Sequence, residues 1–265
     1  IAGATMRDGM ELHLTDSIIS RPYIDLTLCT MRDFGAKVEW TGPDTIEVVP
    51  QPYRPTPYFI ENDWSAASYW YEMLCLSDDE SVVRLNGLTD GSRQGDSVTR
   101  YIFSLLGVKT TFGVREKGVP TTVKLKHRRV NLPRLEFSFI NQPDLAQTYV
   151  VTCALLGIPF HFKGLSTLRI KETDRIEALK REMLKLGFVV SSNVDNDLIW
   201  NGECCEADIH PVINTYKDHR MALAFAPASA SFPGLRINDP SVVSKSYPRY
   251  WDDLRKAGYV IEEEP

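Results

Sequence analysis

Apolar and polar positions along the chain fall into two recurring patterns. In the first, an amphipathic stretch with helical spacing ends near a glycine and runs into a strand-like segment. It occurs four times, at residues 28–38, 101–110, 179–190 and 251–261, around Gly35, Gly107, Gly187 and Gly258. Glycine suits the left-handed position that closes a helix. The spacing of these glycines, roughly 70–80 residues, predicts repeated α/β subdomains rather than a thin solenoid. In the second pattern, at residues 145–156 and 221–230, a helical stretch is apolar on nearly every side. Such a helix is buried on most sides. The expected fold is therefore α/β, with repeated subdomains whose sheets enclose parallel helices. The stretch Tyr53-Arg54-Pro55-Thr56-Pro57-Tyr58, followed by Glu61-Asn62-Asp63, reads as a linker, because proline withholds backbone donors and favours extended chain. A boundary between Phe59 and Ile60 would leave residues 1–59 as the last subdomain of one lobe and residues 60–265 as a lobe of about three subdomains.

Composition narrows the class. With 265 residues, 43% of them hydrophobic, the chain can bury a substantial core. A net charge of -5 argues against a general nucleic-acid or membrane-surface binder. The compact basic run Lys126-His127-Arg128-Arg129 reads as a solvated turn between strands. The five cysteines, odd in number and without a C-x-x-C, read as reduced core residues of a cytoplasmic protein rather than a disulfide framework or zinc site. No apolar stretch reaches the ~18 residues of a membrane span. No basic segment followed by an apolar core marks a secretory signal, although the chain begins at Ile1 rather than at a methionine.

The candidate chemistry gathers at helix starts. Arg169-Ile170-Lys171-Glu172-Thr173-Asp174-Arg175 stands directly before an amphipathic helix carrying Ile176, Leu179, Met183 and Leu186. Helix N-termini carry partial positive charge and unpaired N–H groups, so cations there call for an offset. Lys171 and Arg175, four apart, share a face if the first turn begins that early. A bound phosphate or carboxylate would account for them; so would a surface network with Glu172 and Asp174. Asp218-His219-Arg220 opens one of the apolar helices. Asp218 suits the cap, whereas Arg220 needs an anionic partner, because an unpaired buried guanidinium is costly. His219 reads as a hydrogen-bonded structural histidine, with acid–base work as the alternative. Asp144, in Asn141-Gln142-Pro143-Asp144, reads either as a cap or as a base kept ionised by nearby cations. Asp63 reads as a cap, and Lys245 adds a lysine in a loop after a Pro/Asp turn. Together these features describe a pocket for a multiply anionic small molecule. No Gly-rich phosphate loop, zinc-ligand spacing or G-x-S-x-G elbow accompanies them.

Ser20-Arg21-Pro22-Tyr23-Ile24-Asp25, Gln94-Gly95-Asp96, Pro143-Asp144, Lys171-Glu172-Thr173-Asp174-Arg175, Asp218-His219-Arg220-Met221-Ala222 and Lys245-Ser246-Tyr247-Pro248 follow one another as they do in 5-enolpyruvylshikimate-3-phosphate synthases, which the whole chain resembles. The resemblance implies two lobes of repeated α/β subdomains with buried parallel helices, of which this chain would hold one full lobe and a remnant of the other. It implies transfer of the enolpyruvyl group of phosphoenolpyruvate to the 5-hydroxyl of shikimate 3-phosphate with release of phosphate, in the pathway to chorismate and aromatic amino acids, without metal or organic cofactor. Asp144 resembles the base that takes the hydroxyl proton, and Lys171 and Glu172 the pair that handles protons at the hydroxyl and the methylene carbon. Arg175, Arg220 and Lys245 resemble the cations that hold phosphoenolpyruvate. Ser20 and Tyr23, with Asp144 and Lys171, fall where the family contacts shikimate 3-phosphate. Thr167 stands where the family commonly has a substrate-contacting Asn. The family's upstream substrate-binding segments are absent, and Ile1 falls just after one of them, so the chain is expected to need the missing N-terminal lobe for turnover. A sister transferase acting on UDP-N-acetylglucosamine shares the fold but lacks the Lys-Glu-Thr-Asp-Arg motif. A non-catalytic anion-binding module would tolerate loss of Asp144, Lys171 or Glu172, all of which are present. An RNA-end-processing relative would need a basic balance that this chain lacks.

Overall fold

The computed structural model describes residues 1–77, 80–114 and 118–263. In chain order its regular elements are β1 (Met10–His13), α1 (Arg21–Asp33), β2 (Val38–Trp40), β3 (Thr45–Val48), α2 (Trp64–Cys75), β4 (Val82–Thr89), α3 (Thr99–Leu105), β5 (Val108–Phe112), β6 (Pro120–His127), β7 (Leu135–Ser138), α4 (Ala146–Leu155), β8 (Phe160–Lys163), α5 (Arg175–Lys185), β9 (Ser191–Ser192), β10 (Leu198–Trp200), β11 (Val212–Ile213), α6 (His219–Phe225), β12 (Arg236–Ile237) and α7 (Tyr250–Lys256).

The four sheets follow one template. The fullest has the order β7-β8-β10-β9, with β7 and β8 parallel and the other pairs antiparallel. The sheets β4-β6-β5 and β1-β3-β2, wholly antiparallel, repeat its last three positions. The parallel pair β11-β12 repeats its first two. The two helix patterns seen in the sequence map onto this template. The amphipathic helices α1, α3 and α5 lead into the third strand of a unit, and α7 follows β12. The helices α4 and α6 join its first strand to its second, and α2 precedes β4 in the same way.

Burial follows the same division. Nine of the ten residues of α4 are buried, as are all of α6 except Arg220. The helices α2, α4 and α6 form the centre of a large core that runs from Trp64 to Leu254. A second, smaller apolar cluster comprises Ala4, Leu28, Met31, Ala36, Val38, Ile46 and Val48. Residues 49–63 between the two contain no helix or strand, and Phe59 and Ile60 are 84% and 88% exposed.

Gly107 shows why glycine closes these helices: its φ is +92°, and a Cβ there would lie 2.0 Å from the Arg128 carbonyl oxygen. Several expectations are corrected. After Gly187 the expected strand at residues 188–190 shrinks to a single bridge, Phe188 to Cys204, before the short β9. After Gly258 no strand forms among the described residues, since no neighbouring strand offers that segment a ladder. The helix expected at residues 221–230 stops at Phe225 and continues as a 3₁₀ turn, because Pro227 has no N–H to carry the α pattern on. Only half of the basic run lies in a solvated connection between strands, Arg128 and Arg129 being exposed between β6 and β7; Lys126 and His127 end β6, with His127 buried. All five cysteines are free, but Cys204 and Cys205 are exposed rather than core. No helix among the described residues is long and apolar enough to cross a membrane.

Candidate active site

The starts of α5 and α6, the turn before α4 and the turn ending at Lys245 converge on one cluster of charges. Arg175 is its hub. As the first residue of α5, capped by Asp174 through the Glu177 N–H, it turns inward and is 1% exposed. Its Nε donates to Asp218 Oδ2 (2.6 Å) and its Nη2 to Asp218 Oδ1 (3.2 Å). Nη1 donates to Asp144 Oδ1 (2.8 Å), and Nη2 also to Glu172 Oε2 (2.7 Å). Three carboxylates from three separate elements are thus held by one planar donor set, the geometry for which arginine is suited. Asp218 caps α6 through the Arg220 N–H (2.9 Å) and is fully buried, with Arg175 as its ion-pair partner.

Asp144 is the second centre. It is reached by Lys171 (3.2 Å), Arg175 (2.8 Å) and Arg220 (3.3 Å). Burial works against its ionisation, but Arg220, Arg175 and Lys171 outweigh it and hold its pKa below the ordinary Asp value. It does not cap α4. Pro143-Asp144-Leu145 forms a 3₁₀ turn that places Asp144 inside the first turn, with its side chain free to meet the cations. The anionic partner required by Arg220 is Asp144, and its other contact is the Tyr69 hydroxyl (3.4 Å).

Glu172 bridges Arg175 and the Lys245 ammonium. Partial burial raises its pKa, yet the Lys245 contact, a backbone hydrogen bond and Arg175 bring it down to about 2. Lys245 is the most open of the cluster, with its side chain 59% exposed. Lys171 and Arg175 do not share a helical face, because α5 begins only at Arg175 and Lys171 is extended; both still reach Asp144. Of the motif's cations only Arg169 joins a surface network, with Asp174 (2.9 Å) and Glu177 (3.1 Å).

His219 is not hydrogen-bonded through Nδ1, which is buried 3.7 Å from Asp218 and 4.0 Å from Glu172. Asp218 is already engaged by Arg175 and the Arg220 N–H. Burial and the neighbouring Arg220 lower the His219 pKa, so the ring is neutral near pH 7.

The first segment reaches this cluster through α1. Ser20, with a left-handed φ of 57°, donates its N–H to the Ile140 carbonyl (2.9 Å), four residues before Asp144. Tyr23 stands near Asp96, Arg220 and Asp144, and burial followed by the charge of Asp96 raises its pKa. Asp96, in the Gln94-Gly95-Asp96 segment, is 1% exposed; Oδ2 takes the Ser65 hydroxyl and Oδ1 has no partner among the described residues. Burial raises the pKa of Asp96. Asp63 does cap α2, accepting from the Ser65 N–H (2.8 Å). The Thr167 hydroxyl is buried without a partner among the described residues.

The eight candidates Ser20, Tyr23, Asp144, Lys171, Glu172, Arg175, Arg220 and Lys245 therefore border one region. Sequence reasoning missed Tyr69, Ser65 and the role of Asp96. Tyr69 and Ser65 carry no motif signal, and Asp96 was visible only as part of a short acidic motif. Among the described residues no group of three or more His, Cys, Asp or Glu side chains is placed to hold a metal ion.

A family model for EPSP synthase (3-phosphoshikimate 1-carboxyvinyltransferase) matches residues 1–254. The chain is 52% identical over 260 residues to a 3-phosphoshikimate 1-carboxyvinyltransferase of Bacteroides fragilis, covering 98% of this chain and 62% of that protein. A Nitrosopumilus maritimus protein of the same name is 30% identical over 265 residues, with 100% and 60% covered. The chain thus spans about 62% of the length of its Bacteroides fragilis relative. Among solved structures, EPSP synthase from Acinetobacter baumannii superposes with a TM-score of 0.74 at 21% identity, covering 98% of this chain and 59% of that one. The enolpyruvyl transferase NikO from Streptomyces tendae gives 0.68 at 19% identity, covering 98% and 58%. These likenesses place the mixed α/β fold, and the match over residues 1–254 places the sequence: the chain belongs to the EPSP synthase family.

Proposed function

We propose that this chain supplies a half-site at which a longer polypeptide transfers the enolpyruvyl group of phosphoenolpyruvate to the 5-hydroxyl of shikimate 3-phosphate, releasing phosphate. The observation that carries the proposal is the convergence of Lys171, Arg175 and Arg220 on Asp144. A carboxylate kept ionised by three cations can accept the hydroxyl proton, and the same cations favour an anionic co-substrate.

In this reading Asp144 takes the 5-hydroxyl proton, and Lys171 beside it steadies that hydroxyl and the negative charge around it. Glu172 serves the methylene carbon. With a pKa of about 2 it is ionised in the arrangement described, so it must leave Lys245 or Arg175 before it can act as an acid. An incoming phosphate or carboxylate that draws Lys245 away would raise the Glu172 pKa, coupling substrate binding to proton delivery. Arg220 and Lys245 then hold phosphoenolpyruvate. Arg175 contributes through its Nη atoms while its Nε remains on Asp218. Ser20 and Tyr23 border the shikimate 3-phosphate side.

Residues 1–59 would be the last subdomain of an N-terminal lobe and residues 60–265 the C-terminal lobe, with the remaining part of the N-terminal lobe as the missing intramolecular partner. The cluster's four cations Lys171, Arg175, Arg220 and Lys245 face three carboxylates of their own, Asp144, Glu172 and Asp218. Little positive charge is left for two multiply anionic substrates, which supports the view that the chain alone does not turn over and acts as part of a larger enzyme. Titration calorimetry with shikimate 3-phosphate and then phosphoenolpyruvate tests this. Weak, salt-sensitive binding that Lys171→Ala and Arg220→Ala abolish is expected, with no phosphate release. Steady-state turnover by this chain would overturn the division of labour, and binding indifferent to both substitutions would overturn the site.

A further inference from the structure

The charged side chains on the solvent face of the sheet β4-β6-β5 are all cations. Arg84 on β4 lies opposite Lys124 on β6, and Lys126 on β6 lies opposite Lys109 on β5. Residues directly opposite share a face, as do residues two apart on one strand, so these four side chains form one patch. Neither Asp nor Glu occurs on any of the three strands. None of the four cations has an ion-pair partner among the described residues, and Arg128 stands exposed at the end of β6. Like charges directly opposite destabilise a sheet, and this chain is acidic overall, with a net charge of -5.

A second observation concerns the edge of the same sheet. β5 is an outer strand. In its ladder with β6, Gly107 accepts from the Arg128 N–H and Gly113 donates to the Thr122 carbonyl, so the bonded positions are odd-numbered. The N–H and C=O groups of Val108, Thr110 and Phe112 therefore point out of the sheet. An open groove of about 1060 Å³ follows this edge, bounded by Arg100, Tyr101 and Ser104 of α3 and by Lys109, Lys126 and Arg128.

We propose that β5 and its groove receive an extended acidic segment of a partner protein, added as a further strand. The outward backbone groups of Val108, Thr110 and Phe112 would form the ladder, and alternate Glu or Asp side chains would meet Lys109, Lys126 and Lys124. A lone lysine on an edge strand serves to repel other strands. Here Lys124 and Lys126 stand on the central strand β6, where repulsion of that kind does not require them. A nucleic acid would satisfy the charge but leave the strand edge unused, so the peptide accounts for both observations.

The test uses the whole chain and a short fluorescent peptide in which Glu alternates with Thr. The expected result is salt-sensitive binding, weakened at least roughly tenfold by Lys109→Glu with Lys126→Glu. Amide hydrogen exchange should slow at Val108, Thr110 and Phe112 when the peptide is added. The same peptide N-methylated at alternate residues, with its charge intact, should not bind. Absence of binding overturns the proposal. So does equal binding by the N-methylated peptide, by the Lys-for-Glu peptide, or by an oligothymidylate of equal charge. Arg84→Glu with Lys124→Glu provides a second charge reversal on β4 and β6, away from β5, should the first pair disturb that strand.

Discussion

Two buried regions of the molecule treat a carboxylate in opposite ways. At the helix starts, Asp218 and Asp144 are surrounded by Arg175, Arg220 and Lys171, and the pKa of Asp144 is lowered despite its burial. Inside the helix core, Glu72 on α2 is 0% exposed and neither oxygen has a hydrogen-bond partner among the described residues. Thr152 of α4 lies beside it, but its hydroxyl donates to the Thr148 carbonyl (2.7 Å). Cys75, Cys153, Tyr250 and Tyr259 are the titratable groups around it, and none supplies positive charge. Burial therefore raises the Glu72 pKa far above the ordinary value. Burial alone does not decide protonation; the presence of a positioned cation does. Glu182 on α5 shows that a buried glutamate in this protein can be fully served, by Lys185 (2.6 Å), the Tyr216 hydroxyl (2.6 Å) and the Asn214 N–H (2.9 Å).

The comparison can be broken most forcefully at the hub. Arg175→Met should destabilise the chain by about 3–5 kcal/mol, because it strands Asp218 without a counter-charge; the midpoint of urea unfolding would report it. A loss below about 1 kcal/mol would mean that water, rather than Arg175, solvates Asp218.

Glu72→Met should act in the other direction, stabilising by roughly 1–3 kcal/mol at pH 8 through removal of an unsatisfied buried polar group. The sign with pH follows from the raised folded-state pKa. Wild-type stability is free of this penalty below the ordinary Glu value of about 4.3 and falls as pH rises towards the folded pKa. The gain from Glu72→Met should therefore be larger at pH 8 than at pH 4, where only the packing difference and the unmet hydrogen bonds of the neutral carboxyl remain. A gain independent of pH would show that Glu72 does not titrate in the folded chain.

Glu172 should show the opposite linkage. Its folded pKa of about 2 lies below the ordinary value, so its contribution is present above that value and is lost as pH falls towards 2. Acid unfolding curves of wild type and Glu172→Gln should converge over that window. The smallest effect belongs to Lys245→Ala. With its side chain 59% exposed, Lys245 should change stability at neutral pH by less than about 1 kcal/mol. The same substitution should weaken phosphoenolpyruvate binding measurably, separating a ligand-facing cation from a structural one.

Much of this was legible in the sequence. The division between amphipathic helices ending at Gly35, Gly107, Gly187 and Gly258 and the apolar helices within the core appears directly in the hydrophobic pattern, and the structure assigns the two kinds to different places in one strand template. The cations at the α5 and α6 starts pointed to a charged pocket because such residues are unfavourable there without a partner. What could not be read was which partner. The sequence left a bound anion and a surface network with Glu172 and Asp174 as accounts of Arg175, and the structure instead buries it against Asp218, Asp144 and Glu172, residues 43, 31 and 3 positions away. Pairing over such distances is set by tertiary packing, on which helical periodicity is silent. Glu72 was missed for a related reason: one glutamate in the run Tyr69-Trp70-Tyr71-Glu72-Met73-Leu74 looks like a solvent-facing position until α4 and α6 are packed around it.

The most direct test of the account is a carboxyl-carbon NMR titration of the chain, labelled at Asp and Glu side chains and assigned through Asp144→Asn and Glu72→Gln. The account predicts that Asp144 titrates below the ordinary Asp value while Glu72 remains protonated at pH 7. An Asp144 that titrates at or above the ordinary value, or a Glu72 already ionised at pH 7, would contradict the claim that placed cations, rather than burial, set the charge state of this protein's interior.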